Sequence, residues 1–475
     1  MEWFTESGYW LGRLVFQRGL AALYLVAFLS SANQFRALIG EHGLLPAPRF
    51  IASVPFRKSP SVFQLHYSDR FFAMVAWSGV VLSAALVAGA GDRVPLWASV
   101  LVWALLWVLY LSIVNVGQVW YGFMWESLLL EAGFLAVFLG NEETAPPVLT
   151  LWLLRWLLFR LEFGAGLIKL RGDSCWRDLT CLYYHHETQP MPGPLSWFFH
   201  NLPRRLHRME TAANHFAQLG APVALFAPQP VASVAAGVIL LTQLWLVASG
   251  NFAWLNFLTI LLAVTAIDGS RAADVLSLHG PVPLAAPPVW FEGLVLAVVA
   301  LVAVLSYWPV RNLLSRHQMM NYSFGSLHLV NTYGAFGNIS RTRHEIVIEG
   351  TDERAITDTT QWKEYGFKAK PGDVRRLVPQ VAPYHLRLDW LMWFAAISPA
   401  YADPWFRRLL TKLLDNDPAV LKLLRTNPFP ASAPTYLRAR LYRYRYTDRR
   451  ERRETRAWWH RTPAGDYVSP VRKAD

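Results

Sequence analysis

The part of the chain richest in reactive side chains is residues 169–212, a polar stretch between two apolar ones. Its first 32 residues combine histidines, carboxylates, arginines and a lysine. Such groups could transfer protons, bind a metal ion or attach the stretch to an anionic lipid surface. They are Lys169, Arg171, Asp173, Arg177, Asp178, His185, His186, Glu187 and His200.

Two chemical interpretations of this stretch are open. In an acid–base site, His185 or His186 could titrate near neutral pH, with Glu187 beside them. In a metal site, His185, Glu187 and His200 could be three ligands, but their spacing matches no recognised ligand motif. We therefore predict no metal and no cofactor.

The third interpretation gives the stretch no catalytic role. Its charges would hold it on the membrane surface, with Trp176, Trp197 and Phe198 in the lipid interface. Several prolines predict a rigid, irregular structure with little room for helix. These are Pro190, Pro192, Pro194 and Pro203.

The two cysteines of the chain, Cys175 and Cys181, lie in the same stretch with five residues between them. This spacing is too wide for a CxxC redox motif. They could form a disulfide if their side of the membrane is oxidising, or both remain reduced if it is not.

Five more charged residues lie within apolar segments of the chain. A charge at bilayer depth costs ~2.5–3.5 kcal/mol, so such residues usually face the interior of a helix bundle and pair. We predict a network between the fourth and fifth spans that either fixes helix register or lines a polar pocket open to residues 169–212. Its members are Glu126, Glu131, Arg155, Arg160 and Glu162.

Long apolar segments must position these groups. The chain is 53% hydrophobic and 16% charged, with 22 tryptophans, which indicates an integral membrane protein. We predict a polytopic helical domain over residues 1–308 with about eight or nine spans, because residues 213–228 are short enough to be re-entrant. The segments are 14–31, 71–90, 95–114, 120–139, 148–168, 213–228, 231–249, 252–268 and 290–308.

The remainder, residues 309–475, contains no segment long and apolar enough to span a membrane. We predict a mixed α and β, β-rich domain outside the membrane. The formal net charge of +12 comes without a nucleic-acid-binding motif, so we expect contact with membrane lipid and not with nucleic acid. Predicted strands are 344–349, 362–370 and 436–446, predicted helices are 386–397 and 404–425, and 447–456 is a solvated charge run.

Motifs in both parts of the chain resemble the lipase maturation factor family. They are long, unusual and in the family's order. In the membrane part they are residues 164–173 (GAGLIKLRGD), 175–180 (CWRDLT) and 184–190 (YHHETQP). In the C-terminal part they are residues 331–337, 345–350, 367–373, 382–390, 427–430 and 441–444.

The resemblance implies a non-enzymatic factor that helps secreted lipases to fold and mature. Its clients would be lipases, which would contact a face formed by residues 169–212 and the C-terminal domain. The resemblance implies no catalytic residue. It also implies the endoplasmic reticulum membrane in a eukaryote, or the cell membrane in a bacterium.

Two arguments about the side of the membrane disagree. With nine spans, residues 32–70, residues 169–212 and the C-terminal domain share one side. Basic residues in 32–70 place that side in the cytoplasm, whereas the resemblance places it outside. We adopt the second placement as an expectation.

The rival hypothesis is a membrane enzyme acting on a lipid or quinone-like molecule. Glu126, Glu131, Arg155 and Lys169 would line its pocket. The cap would be formed by His185, His186 and Glu187.

Overall fold

A computed structural model describes residues 4–275, 277 and 284–473. Its first part is helical. The bounds are α1 Trp10–Leu38, α2 Ala47–Ser53, α3 Asp69–Val87, α4 Leu96–Val116, α5 Met124–Ala136, α6 Val148–Arg171, α7 Ser174–Arg177, α8 Leu182–Thr188, α9 Ser196–His200, α10 Arg204–His215, α11 Ala221–Ala224, α12 Val231–Ser249, α13 Leu255–Val264, α14 Gly269–Val275, α15 Val289–Leu305 and α16 Tyr307–Leu314.

Five helical runs within the described residues are long and apolar enough to cross a membrane: Ser7–Leu38, Asp69–Val87, Leu96–Val116, Val231–Ser249 and Val289–Leu314. Several of them keep large apolar side chains on the outside of the protein. On α4, the exposed side chains Trp97, Leu101, Leu105 and Val108 follow helical spacing and form one stripe. Such a stripe suits lipid, and the predicted class of multi-pass membrane protein is confirmed.

Other predicted spans are shorter in the structure than in the sequence. The segment 120–139 contains the 13-residue α5, whose length of about 20 Å is less than the bilayer core. Gly122 lies before α5, and Gly140, with a φ of +80°, lies after it. The segment 213–228 divides into the end of α10, a π-helical turn Phe216–Gly220 and α11.

Residues 169–212 are mostly helical, so the prediction of little helix in this stretch was wrong. Four short helices, α7 to α10, occupy it. Pro190, Pro192 and Pro194 lie between α8 and α9, and Pro203 is the N-cap of α10. Proline restricts where a helix can start and stop, and here it separates helices without preventing them.

The C-terminal part contains a four-stranded antiparallel sheet in the order β4-β3-β5-β6. A second pair, β1 with β2, lies between α16 and this sheet. The predicted domain of mixed α and β structure is confirmed. The bounds are β1 Tyr322–Ser323, β2 Asn331–Thr332, β3 Arg343–Thr351, β4 Lys363–Glu364, α17 Arg387–Ile397, α18 Trp405–Leu414, α19 Pro418–Leu421, β5 Tyr436–Tyr446, α20 Arg449–Thr455 and β6 Trp459–Arg472.

Two sequence predictions in this domain differ from the structure. Residues 362–370 form only the two-residue β4. The edge strand β6 was missed, because Pro463 and Pro470 are unusual within strands and are tolerated at sheet edges. In contrast, the change of alternation at Leu441 and Tyr442 does coincide with a register shift against β6.

The connection between the two parts is attached to the helices by His328. Its Nδ1 lies 3.1 Å from the Ser127 Oγ of α5, and its Nε2 lies 3.2 Å from the Asn115 Oδ1 of α4. His328 has a φ of +54°. Burial lowers the pKa of His328 from 6.5 to about 4, so its imidazole is neutral in the folded protein near pH 7.

Acidification should therefore destabilise the protein through His328. Below pH 6.5 the unfolded chain binds a proton at this position, whereas the folded chain does so only near pH 4. Stability is lost as the pH falls through that window. In His328→Asn, which tolerates the left-handed backbone, the apparent melting temperature in detergent should fall less between pH 7.5 and pH 5. His317→Asn, at an exposed position, should keep the wild-type slope, and equal slopes in all three proteins would contradict the prediction.

Candidate functional site

Glu131 of α5 is completely buried and forms an ion pair with Arg160 of α6. Its carboxylate also accepts hydrogen bonds from the backbone and side chain of Asn331 at 3.0 and 2.9 Å. A third bond comes from the Tyr333 hydroxyl at 2.7 Å. Arg160 in turn donates to the Asn331 carbonyl at 2.6 Å. A buried charge needs this degree of pairing, and here strand β2 supplies half of it.

Glu126 lies five residues earlier on α5 and has a different partner. Its Oε1 accepts a hydrogen bond at 2.6 Å from Arg387, at the start of α17 in the C-terminal part. The Tyr110 hydroxyl donates to its other oxygen. The Arg387 guanidinium lies 3.5 Å from the ring centroid of Tyr121 and donates to the Trp120 carbonyl at 2.7 Å. Both side chains of the Glu126–Arg387 pair are fully buried.

The five predicted intramembrane charges thus do not form one network. Glu131 and Arg160 are brought together, but Arg155 donates to the Tyr9 hydroxyl at 2.8 Å and lies over the Trp152 ring. Glu162 accepts a hydrogen bond from Gln243 of α12 at 2.6 Å. Arg155 and Glu162 share a face of α6 but lie two turns apart, and Arg160 points elsewhere, so the three charges meet different neighbours.

A pocket of about 560 Å³ opens beside Glu162. It is lined mainly by α6, α8, α10, α12 and α13, with one residue each from α5 and α7, and its walls are largely apolar. Lys169 lies in its wall, donates to Gln218 at 2.7 Å and lies 4.9 Å from the Trp176 ring centroid. The pocket has the size and character of a site for a small amphipathic molecule.

The predicted acid–base group is divided by the structure. His185 and His186 line the pocket, and burial lowers the pKa of His185 to about 3, so this imidazole stays neutral. Glu187 faces the C-terminal sheet, where it accepts a hydrogen bond from the Tyr446 backbone at 2.7 Å. His200 lies 3.6 Å from Glu187, and burial lowers its pKa to about 4. The three predicted metal ligands, His185, Glu187 and His200, therefore do not face one common point.

Two further charges of residues 169–212 contact residues of the C-terminal part, and a third has a local contact. Arg171 donates to Gln318 at 3.0 Å, and Asp173 pairs with Arg341 at 2.8 Å. Arg177 bonds the Leu170 carbonyl at 2.8 Å, and Asp178 is exposed.

Cys175 and Cys181 are joined as a disulfide that closes a small loop around α7. Trp176 within that loop is buried and donates to the Phe336 carbonyl at 2.8 Å. Trp197 is buried too, and Phe198 alone of the three expected interface aromatics is exposed.

Residues 169–212 are also bound to the sheet through Arg343 of β3. This buried guanidinium donates to the carbonyls of Glu187, Gln189 and Pro190 at 2.5–3.1 Å. Its charge is balanced by Glu345 at 2.5 Å, which also pairs with Lys370 at 2.8 Å. Trp197 donates to the Thr447 carbonyl at 2.7 Å, so two separate points fix the stretch to the sheet.

Sequence reasoning missed Arg387, Asn331 and Arg343 as partners of the buried carboxylates and of the polar stretch. Each lies at least 153 residues from the group that it contacts. It also missed the pair His207 and Glu210. Their spacing of three residues is a detectable signal for one helical face, but we predicted no helix there.

A helical membrane part and a β-containing domain, joined by a buried ion pair and buried hydrogen bonds, define a class of multi-pass membrane proteins with an attached extramembrane domain. Two family models cover most of the chain: the lipase maturation factor transmembrane domain matches residues 11–274, and the C-terminal domain of the same family matches residues 329–469. The chain belongs to the lipase maturation factor family.

Individual relatives agree with this assignment. The chain is 40% identical to lipase maturation factor 1 of Bos taurus, with 98% of this chain and 90% of the relative covered. It is 39% identical to lipase maturation factor 1 of Homo sapiens, covering 98% and 88%. Identity to lipase maturation factor 2 of Homo sapiens is 30%, covering 99% and 84%. No solved structure gave a significant match.

The Glu126–Arg387 pair predicts a non-additive pattern of stability. Arg387→Met leaves an unpaired buried carboxylate and should lower the free energy of unfolding by about 3–5 kcal/mol. The combined change Glu126→Gln with Arg387→Met removes both charges and should cost clearly less than the sum of the two single changes. Thermal unfolding in detergent measures the cycle.

The matched control for this cycle is Arg450→Ala, because the Arg450–Glu454 pair is largely exposed. It should change stability by less than about 1 kcal/mol. Additive effects of the Glu126 and Arg387 changes would contradict the pairing.

Proposed function

We propose that this protein is a membrane-anchored maturation factor that assists the folding of secreted lipases in a chaperone-like way. The observation that carries the proposal is similarity to proteins named lipase maturation factors along 97–99% of the chain. A chaperone requires an accessible client-binding face and no catalytic group. Its host membrane would be the endoplasmic reticulum in a eukaryote or the cell membrane in a bacterium.

The client-binding face that we propose lies where residues 169–212 meet the sheet. Phe198 is 48% exposed there, and its ring lies 6.2 Å from that of the half-buried Trp458. The Arg452 guanidinium of α20 covers Trp458 at 3.6 Å. Clustered aromatic and arginine side chains are typical of binding hot spots. Three other tryptophans of the C-terminal domain, Trp390, Trp405 and Trp459, are buried and do not contribute to this face.

This function requires the face to lie outside the cytoplasm, where secreted lipases fold. Protease protection of the C-terminal domain in sealed microsomes tests this requirement. A domain digested without detergent would be cytoplasmic and would end the proposal.

The double change Phe198→Ala with Trp458→Ala should reduce lipase maturation several-fold, because truncation of one hot-spot side chain typically costs 2 kcal/mol or more, roughly thirtyfold in affinity. The measurement is secreted lipase activity per lipase chain in cells without another maturation factor. The matched control is Leu65→Ala, at a side chain that is 87% exposed and far from the face in sequence. Wild-type activity of the double variant at wild-type abundance would contradict the assigned face.

The pocket supports a second candidate, a membrane enzyme acting on a lipid or quinone-like molecule. Glu162, Lys169, His185 and His186 are among the polar groups of its largely apolar wall. Mass spectrometry of small molecules extracted from the purified protein distinguishes the candidates. A stoichiometric amphiphile that is chemically converted by the wild type would favour the enzyme over the maturation factor.

A further inference from the structure

Three side chains of the types that bind transition metals lie close together on α8 and α10. His186 of α8 and His207 and Glu210 of α10 each offer one atom, and these atoms all lie within 4.8 Å of one another. The His186 Nε2 lies 3.8 Å from the Glu210 Oε1, and the His207 Nδ1 lies 3.8 Å from the Glu210 Oε2. These separations are too long for hydrogen bonds.

The facing atoms are also buried without hydrogen-bond partners among the described residues. This holds for both ring nitrogens of His186, for the Nδ1 of His207 and for the Oε2 of Glu210. The side chains of His186 and His207 are 2% and 3% exposed. Buried polar atoms are nearly always satisfied, since an unpaired one costs about 1–3 kcal/mol. A cation bound between these three side chains would give their buried atoms a partner.

Neighbouring groups already hold two of the three side chains in a ligand-like orientation. The His207 Nε2 lies 3.3 Å from the His200 carbonyl, to which it can donate a proton, and this leaves the Nδ1 free as a lone-pair donor. The Trp245 indole donates to the Glu210 Oε1 at 2.7 Å and orients that carboxylate. Metal-binding histidines and carboxylates characteristically have such outer partners.

We propose that His186, His207 and Glu210 bind a divalent transition-metal ion, with zinc as the best fit to two imidazoles and one carboxylate. Tetrahedral zinc places its ligand atoms about 3.3 Å apart, so small side-chain rotations suffice.

His186 and Glu210 also line the 560 Å³ pocket, and the fourth coordination position therefore faces it. A site with three protein ligands and one open position can polarise a bound carbonyl or water. The prediction of no metal rested on His185, Glu187 and His200, whose spacing matches no ligand motif, and it did not consider His207 and Glu210.

The test uses untagged full-length protein in detergent, freed of metal by a chelator and then titrated with Zn²⁺. We expect one zinc per chain by elemental mass spectrometry, and tetrahedral absorption bands when Co²⁺ replaces it. His207→Ala and Glu210→Gln should weaken zinc binding by about 100-fold or more, and Trp245→Phe, which removes only the outer partner, by about tenfold. His215→Ala changes a histidine on the same helix that lies outside the cluster and should leave binding unchanged.

Two results would overturn the site. One is a wild-type protein that binds no stoichiometric zinc. The other is wild-type zinc affinity in both His207→Ala and Glu210→Gln. Trp245→Phe keeps all three ligands, so its graded loss distinguishes metal binding from a general loss of folding.

Discussion

The two buried carboxylates of α5 set the arrangement of the whole protein. Glu126 and Glu131 are at most 1% exposed, and a charge in such surroundings is tolerated only when it is paired and hydrogen-bonded. Each finds partners that come from the C-terminal part: Arg387 for Glu126, and Asn331 and Tyr333 for Glu131. The helical part pairs Glu131 with its own Arg160, but the charge of Glu126 and the remaining hydrogen bonds of Glu131 depend on the C-terminal domain.

Residues 169–212 are also attached to the C-terminal domain. Arg343 of the sheet bonds three carbonyls around Pro190, while the disulfide at Cys175 and Cys181 closes the start of the stretch. The same helices form one side of the pocket and hold His186 and Glu210 in its wall. The proposed client face, the pocket and the proposed metal site thus share one support.

Much of this architecture can be predicted from the sequence, and the features that were missed share one physical cause. Apolar length predicted the helical part, alternation predicted β5 with its observed bounds, and the predicted strand 344–349 lies within two residues of the bounds of β3. Glu131 was predicted to pair with arginine of the next helix, because Arg160 lies on a neighbouring span. The partner of Glu126 lies 261 residues away, and no periodicity links the two. The prolines of residues 169–212 led to a prediction of little helix there. Helix α10 was therefore missed, and with it the pairing of His207 and Glu210.

The attachment of the two parts by buried pairs is the central claim, and one measurement tests it directly. A protease site inserted at Gly325, where added atoms meet open space, allows the chain to be cut between α16 and β2 in the folded protein. Size-exclusion chromatography in detergent should then show both fragments eluting together even at high salt, because buried pairs are poorly screened, and dissociating in Arg387→Met. Immediate separation of the wild-type fragments would contradict the account.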